Sequence, residues 1–173
     1  MIAALDLPAT LRTTTQDVLL RRAVVEDFSA LMLLLRDDPI SARREERAAD
    51  TDEAVYRAAL VEVITDPSND LIVVVDASGE VVGTMQLTRI PGMARRGSAR
   101  LQIEAVRVRS TRRSSGIGSA MVRWVTDTAA PAAGASLVQL TSDRARTDAH
   151  RFYERLGFTA SHRGFKFTPG GRP

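Results

Sequence analysis

The stretch Leu101-Gln102-Ile103-Glu104-Ala105-Val106-Arg107-Val108, followed by Arg112-Arg113-Ser114-Ser115-Gly116-Ile117-Gly118 and the run from Ser119 to Ala130, decides how this chain is read. The first part is apolar and strand-like, the last part helix-like, and a glycine-rich turn joins them. Such a turn brings backbone N–H groups to a helix start, where the dipole favours negative charge. The arginines beside it make phosphate, and a pyrophosphate in particular, the expected ligand. Within the strand the alternation changes phase. Leu101 and Ile103 share one face, whereas Val106 and Val108 share the other. A period of two shifts only through an extra residue, so a β-bulge is predicted near Glu104–Ala105.

Two familiar phosphate loops fail on the residues. A P-loop ends in Gly-Lys-Ser/Thr, and the one lysine, Lys166, lies far downstream. The dinucleotide fingerprint needs a third glycine where this chain has Met121. A second segment, Ala149-His150-Arg151-Phe152-Tyr153-Glu154-Arg155-Leu156-Gly157-Phe158, narrows the choice. Together, Arg113-x-x-Gly116-x-Gly118 and Phe152-Tyr153…Leu156-Gly157-Phe158 resemble motifs A and B of the GNAT superfamily of acyl-CoA N-acyltransferases, in the same order. The likeness spans about residues 17–168.

Composition agrees with a globular domain. Apolar residues make up 44% and charged residues 26%, with a net charge of +3. No apolar run approaches the ~18 residues of a membrane span. Met1 to Gln16 does not read as a secretory signal. With zero cysteines, disulfides and thiolate chemistry are excluded, and a cytoplasmic location is expected. Arg95, Arg96, Arg100, Arg107, Arg109, Arg112 and Arg113 are opposed locally only by Glu104, a cluster that attracts polyanions. Nucleic acid is one candidate, although aromatics for base stacking amount to only 5%.

Strands are read at 17–25, 71–75, 81–89, 101–108 and 136–140, with a closing strand or hairpin at 158–167. Helices are read at 26–35, 51–64, 119–130 and 147–156, with Thr51 as an N-cap. Residues 41–50 form a loop or surface helix. The expected domain plan is a tail at 1–16, one acyltransferase domain at 17–168 and a tail at 169–173. The expected fold is α/β: a GNAT-like mixed, mostly antiparallel central sheet of six or seven strands, helices on both faces and a splayed strand pair.

The resemblance also implies roles. Val106 and Val108 would hold the pantetheine arm and thioester through main chain freed by the splay. Arg113, Ser114, Gly116, Ile117, Gly118 and Ser119 would cradle the pyrophosphate. Glu104 matches a general base used in many relatives, and an alkyl amine with a pKa near ~10.4 needs one. An ion pair with Arg100 or Arg107 is the competing role for Glu104. Tyr153 matches the tyrosine that supplies a proton to the leaving thiolate. Relatives often carry asparagine seven residues before it; Arg146 stands here, as a cation for a phosphate. Acetyl-CoA is the expected donor, a small-molecule or peptide amine the acceptor, with no metal, nucleic acid or membrane partner and a homodimer as the prior on assembly. Asp37, Asp38, Glu45 and Glu46 are candidates for attracting a cationic amine. Two other classes stay open: an acyl-CoA sensor without chemistry, and a nucleic-acid-binding module built on the arginine cluster.

Overall fold

A computed structural model describes residues 2–37, 52–167 and 169. By internal contacts the chain forms two compact units, Met1–Leu140 and Thr141–Pro173.

The first unit is a six-stranded sheet in sequential order. Its strands are β1 (Ala9–Arg12), β2 (Asp17–Arg22), β3 (Asn69–Val75), β4 (Val81–Ile90), β5 (Ala99–Val108) and β6 (Ala135–Leu140). β1 through β5 pair antiparallel, whereas β5 and β6 are parallel. A parallel neighbour requires a crossover, and helix α3 (Ile117–Trp124) lies in it. Helices α1 (Phe28–Arg36) and α2 (Glu53–Thr65) precede β3. The expected mixed, mostly antiparallel α/β sheet is therefore present.

Alternation sorts the core onto two faces. Val73, Val75 and Val81 bury themselves with Phe28, Leu31 and Leu34 of α1 and Leu60 of α2. Val74 faces the other way. A Cβ placed on Gly83 would lie 3.5 Å from both Val74 Cβ and the Met121 sulfur of α3. Ile72, Val73 and Val74 are fully buried, as a strand covered on both faces requires.

Several expectations change. Part of the segment read as a tail, 1–16, is structured: β1 pairs residue for residue with β2, and Ile2, Leu5 and Leu11 are buried. Four residues are too short for periodicity to reveal a strand. The helix read as ending before Pro131 continues from α3 through a π-helical stretch, Val125–Ala129, into Ala130–Ala132. Pro131 follows the π-helical stretch directly, the kind of local rearrangement that accompanies a missing helical N–H. Thr51 and residues 41–50 lie outside the described residues.

The second unit holds α4 (Thr147–Arg155), ended by Gly157 at φ +89, the left-handed geometry of a helix C-terminal glycine. The closing strand read at 158–167 is not formed. Phe165 and Phe167 are 92% and 88% exposed. Between Phe158 and Phe165 the residues are mostly polar or small, with none of the alternation that fixes a strand to a neighbour.

Candidate acyl-donor site

The phase change in β5 is a bulge. Thr84 pairs with Arg107 and Gln86 with Glu104, so Ala105 and Val106 together face the single residue Met85. Ala105 takes φ +52, a left-handed conformation rare for a side chain with a Cβ. The bulge coincides with the end of β6. Pairing between β5 and β6 runs from Ala99 to Ile103 and then stops. Among the described residues, no strand pairs with the rest of β5, from Glu104 on, on that edge. Where a splayed strand pair is expected, β6 ends at Leu140, opposite Ile103, and β5 continues past it.

Main-chain direction follows from the ladder. Arg109 N–H donates to Val82 C=O at 2.9 Å. Because the two ends of a trans peptide point oppositely, the Val108 C=O is turned away from β4. The antiparallel alternation turns the Arg107 groups toward β4, and thus the Val108 N–H and Val106 C=O toward the open edge. These main-chain groups of Val106 and Val108 thus point away from β4. Glu104 is exposed. It takes part in none of the ion pairs formed among the described residues.

Beyond β5 the chain makes a short 3-10 turn at Ser110–Arg112 and then the glycine loop. Ser114 has φ +63 and Gly116 φ +86. Gly116 is the N-cap of α3 and provides no side-chain cap. The N–H groups of Ile117, Gly118 and Ser119 are those a helix start leaves without intrahelical acceptors. Ala120 N–H is the first to bond back, to Gly116 C=O at 2.9 Å. Such a helix start suits a diphosphate. Arg113 plays a different part from its neighbours. Its N–H donates to Ser110 C=O, and its guanidinium donates to Val108 C=O at 3.4 Å and Asp37 C=O at 3.3 Å. It braces the loop against the end of α1 and contributes charge rather than a free N–H.

Acids distant in sequence meet the arginine cluster. Arg109 pairs with Glu80 and Arg112 with Asp76, each at 2.8 Å. The Asp76 side chain is 2% exposed. It also accepts from the Ser78 hydroxyl and N–H and from the Glu80 N–H. The Ser78 hydroxyl, foremost among these, holds its carboxyl below the ordinary range, and Arg112 adds to the effect. The Asp37 carboxylate accepts from Ser110 N–H. That bond lowers its pKa, with Arg113 and Arg109 reinforcing it. Asp37, read as a lure for an amine, is thus a brace on the loop. Leu33, Leu34, Asp37, Arg109, Ser110 and Thr111 line a cavity of about 320 Å³ there. Asp38, Glu45 and Glu46 lie outside the described residues.

In the second unit Arg146 is the N-cap of α4. Tyr153 packs edge-on against Phe152 and Phe158, at 5.0 and 5.7 Å between ring centres. Burial raises the phenol pKa and the Arg146 charge opposes the rise. Tyr153 therefore keeps its proton at neutral pH, the form that can donate. His150 bonds Asp143 C=O through Nε2. Among the described residues no group of acidic, histidine or cysteine side chains has metal-site geometry.

A family model described as acetyltransferase (GNAT) family matches residues 29–158. The chain belongs to the GNAT acetyltransferase family. Both GNAT motifs read from the sequence fall within that span, and the family in general draws its acyl group from acetyl-CoA. A solved structure described as a transcriptional regulator from Bacillus halodurans C-125 is 40% identical, with a TM-score of 0.79 over 87% of this chain and 99% of that one. An acetyltransferase from Trypanosoma brucei is 25% identical, with a TM-score of 0.69 over 88% of this chain and 99% of that one. An aminoalkylphosphonate N-acetyltransferase from Salmonella typhimurium is 40% identical over 67 residues, 39% of this chain and 42% of that protein. The match thus spans less than half of that curated relative. No described helix is long and apolar enough to cross a membrane.

The reading from sequence missed Thr14. Its N–H and Oγ1 both donate to Ser115 C=O, at 3.3 and 2.7 Å. The signal available was the Thr13-Thr14-Thr15 triplet between two short stretches that pair as a hairpin.

Proposed function

We propose that this chain transfers an acetyl group from acetyl-CoA to a primary amine by direct attack. The observation that carries the proposal is the open edge of β5 running directly into the glycine loop. One arm of the donor would lie along the main chain of Val106 and Val108. Its diphosphate would take the N–H groups of Gly116, Ile117, Gly118 and Ser119, with Ser114 shaping the turn and Arg113 adding charge. Arg146 is assigned to a phosphate of the same donor.

Acetyl-CoA supplies a thioester whose C–S bond breaks as the C–N bond to the amine forms. Glu104 takes the proton the amine must lose, directly or through water. Tyr153 gives its proton to the departing sulfur. The chain has no cysteine to carry the acyl group through a thiol.

The test is calorimetric titration with CoA together with a thiol-release assay over an amine panel. The Salmonella relative's name puts aminoalkylphosphonates on that panel, beside peptides with free N-termini. CoA binding with turnover of one amine supports the proposal. CoA binding with no turnover over a broad panel favours the sensor. The description of the Bacillus relative warrants a DNA arm. Affinity for DNA falling steeply with salt, without CoA binding, would replace the proposal. The pairing of Arg109 and Arg112 with buried or neighbouring acids speaks against that outcome.

A further inference from the structure

The hairpin between β1 and β2 ends in a turn that Thr13 builds. Its Oγ1 donates to Gln16 C=O at 2.6 Å and accepts from Thr15 N–H and Gln16 N–H at 3.3 and 3.2 Å. The turn presents Thr14 to the glycine loop. Thr14 Oγ1 donates to Ser115 C=O at 2.7 Å, although the two residues are 101 apart in sequence. A Cβ at Gly116 would meet Thr14 N and Oγ1 at 3.1 Å and Cγ2 at 3.2 Å. The hairpin therefore presses on the loop and also bonds to it. From the other side Ser115 Oγ donates to Arg112 C=O at 2.6 Å.

The direction of the Thr14 bond has a consequence. The Ser115–Gly116 peptide is planar and trans, so its C=O and N–H point oppositely. Fixing the carbonyl on the hairpin fixes the Gly116 N–H away from it. Glycine on its own has the freedom to rotate this peptide. Nothing within the loop holds it as directly.

We infer that Thr14 is a positioning residue for the acyl donor: by holding the Ser115 carbonyl it sets the Gly116 N–H in the direction that receives the diphosphate. This rests on the proposal that the loop binds CoA. Thr14 touches the loop and not the donor. Removing its hydroxyl leaves every donor group of the loop in place but takes away the shorter of the two bonds on the Ser115 carbonyl, leaving it only the Thr14 N–H at 3.3 Å, so the peptide is held less firmly.

The experiment titrates full-length wild type, Thr14→Val, Thr14→Ser and Thr13→Ala with CoA and with dephospho-CoA, which keeps the diphosphate and lacks the ribose phosphate. Urea unfolding confirms that each variant is folded. Thr14→Val should weaken both ligands by about three- to tenfold, the worth of one hydrogen bond. Thr14→Ser should restore wild-type affinity. Thr13→Ala, which loosens the tip, should weaken both ligands by a smaller factor. A role confined to folding would shift the urea midpoint and leave affinity unchanged. Equal CoA affinity in wild type and Thr14→Val overturns the inference and leaves the CoA proposal standing. So does a loss for CoA that spares dephospho-CoA, or a Thr14→Ser variant as weak as Thr14→Val. No binding of CoA to wild type overturns both.

Discussion

Replacing Gly116 by alanine tests the glycine loop at its most constrained point. Gly116 has φ +86, where an L-residue is disfavoured by roughly 1–2 kcal/mol. The added Cβ would also sit 3.1 Å from the backbone nitrogen of Thr14, an atom fixed by the hairpin. The hairpin or the loop must shift by a few tenths of an ångström. That movement strains the Thr14–Ser115 bond, worth about 0.5–1.5 kcal/mol. The total is about 1.5–3.5 kcal/mol. If the loop keeps its shape, the cost falls on folding and lowers the unfolding free energy by that amount. If the loop relaxes, the cost falls on the donor, as about a 10- to 400-fold loss of CoA affinity. Urea unfolding and calorimetry on the same preparation read both. Gly116→Ala matching wild type in urea midpoint and within twofold in CoA affinity would refute the reasoning.

Three further outcomes are expected. Glu104→Gln should lower turnover about 10²-fold at neutral pH with CoA affinity retained, and the loss should shrink as pH rises and more amine is deprotonated; a pH–rate profile parallel to wild type would remove the base assignment. Tyr153→Phe keeps the ring packing with Phe152 and Phe158 and should lower turnover by a similar factor, with thiol release from a better leaving group less affected; unchanged steady-state rates would dismiss the phenol. Asp76→Asn should lower stability at neutral pH by about 1–3 kcal/mol. Because the Asp76 pKa is lowered in the folded protein, its contribution is complete above the unfolded value near ~3.9 and fades as pH falls through the folded value. Wild type and variant should converge in acid, and a gap in urea midpoint that persists there would contradict the pairing.

Much of the site was legible in the sequence because the responsible signals are local. The phase shift between Ile103 and Val106 located the bulge, since side chains alternate strictly along a strand. Gly116 and Gly118 before an apolar helical run located the loop. The Phe152–Phe158 segment marked α4 and its glycine end. Where periodicity was absent or short, the reading failed. β1 is four residues long, and the segment from Phe158 to Phe167 has aromatic ends but no alternation to turn it into a strand.

The sequence by itself determined the strand, bulge, glycine turn and helix, because each depends on steric and hydrogen-bonding preferences within a few residues. Tertiary structure alone decided which partners those pieces have. The sheet order brings Glu80 to Arg109, Asp76 to Arg112 and Thr14 to Ser115. It also ends β6 at Leu140, so that among the described residues β5 has no pairing strand on that edge from Glu104 on. A local run of arginines therefore looks unopposed in sequence and is met in space by acids at Arg109 and Arg112. The physical reason is that charge pairing and hydrogen bonding act across a few ångströms, and the chain crosses those distances only after non-local strands have paired.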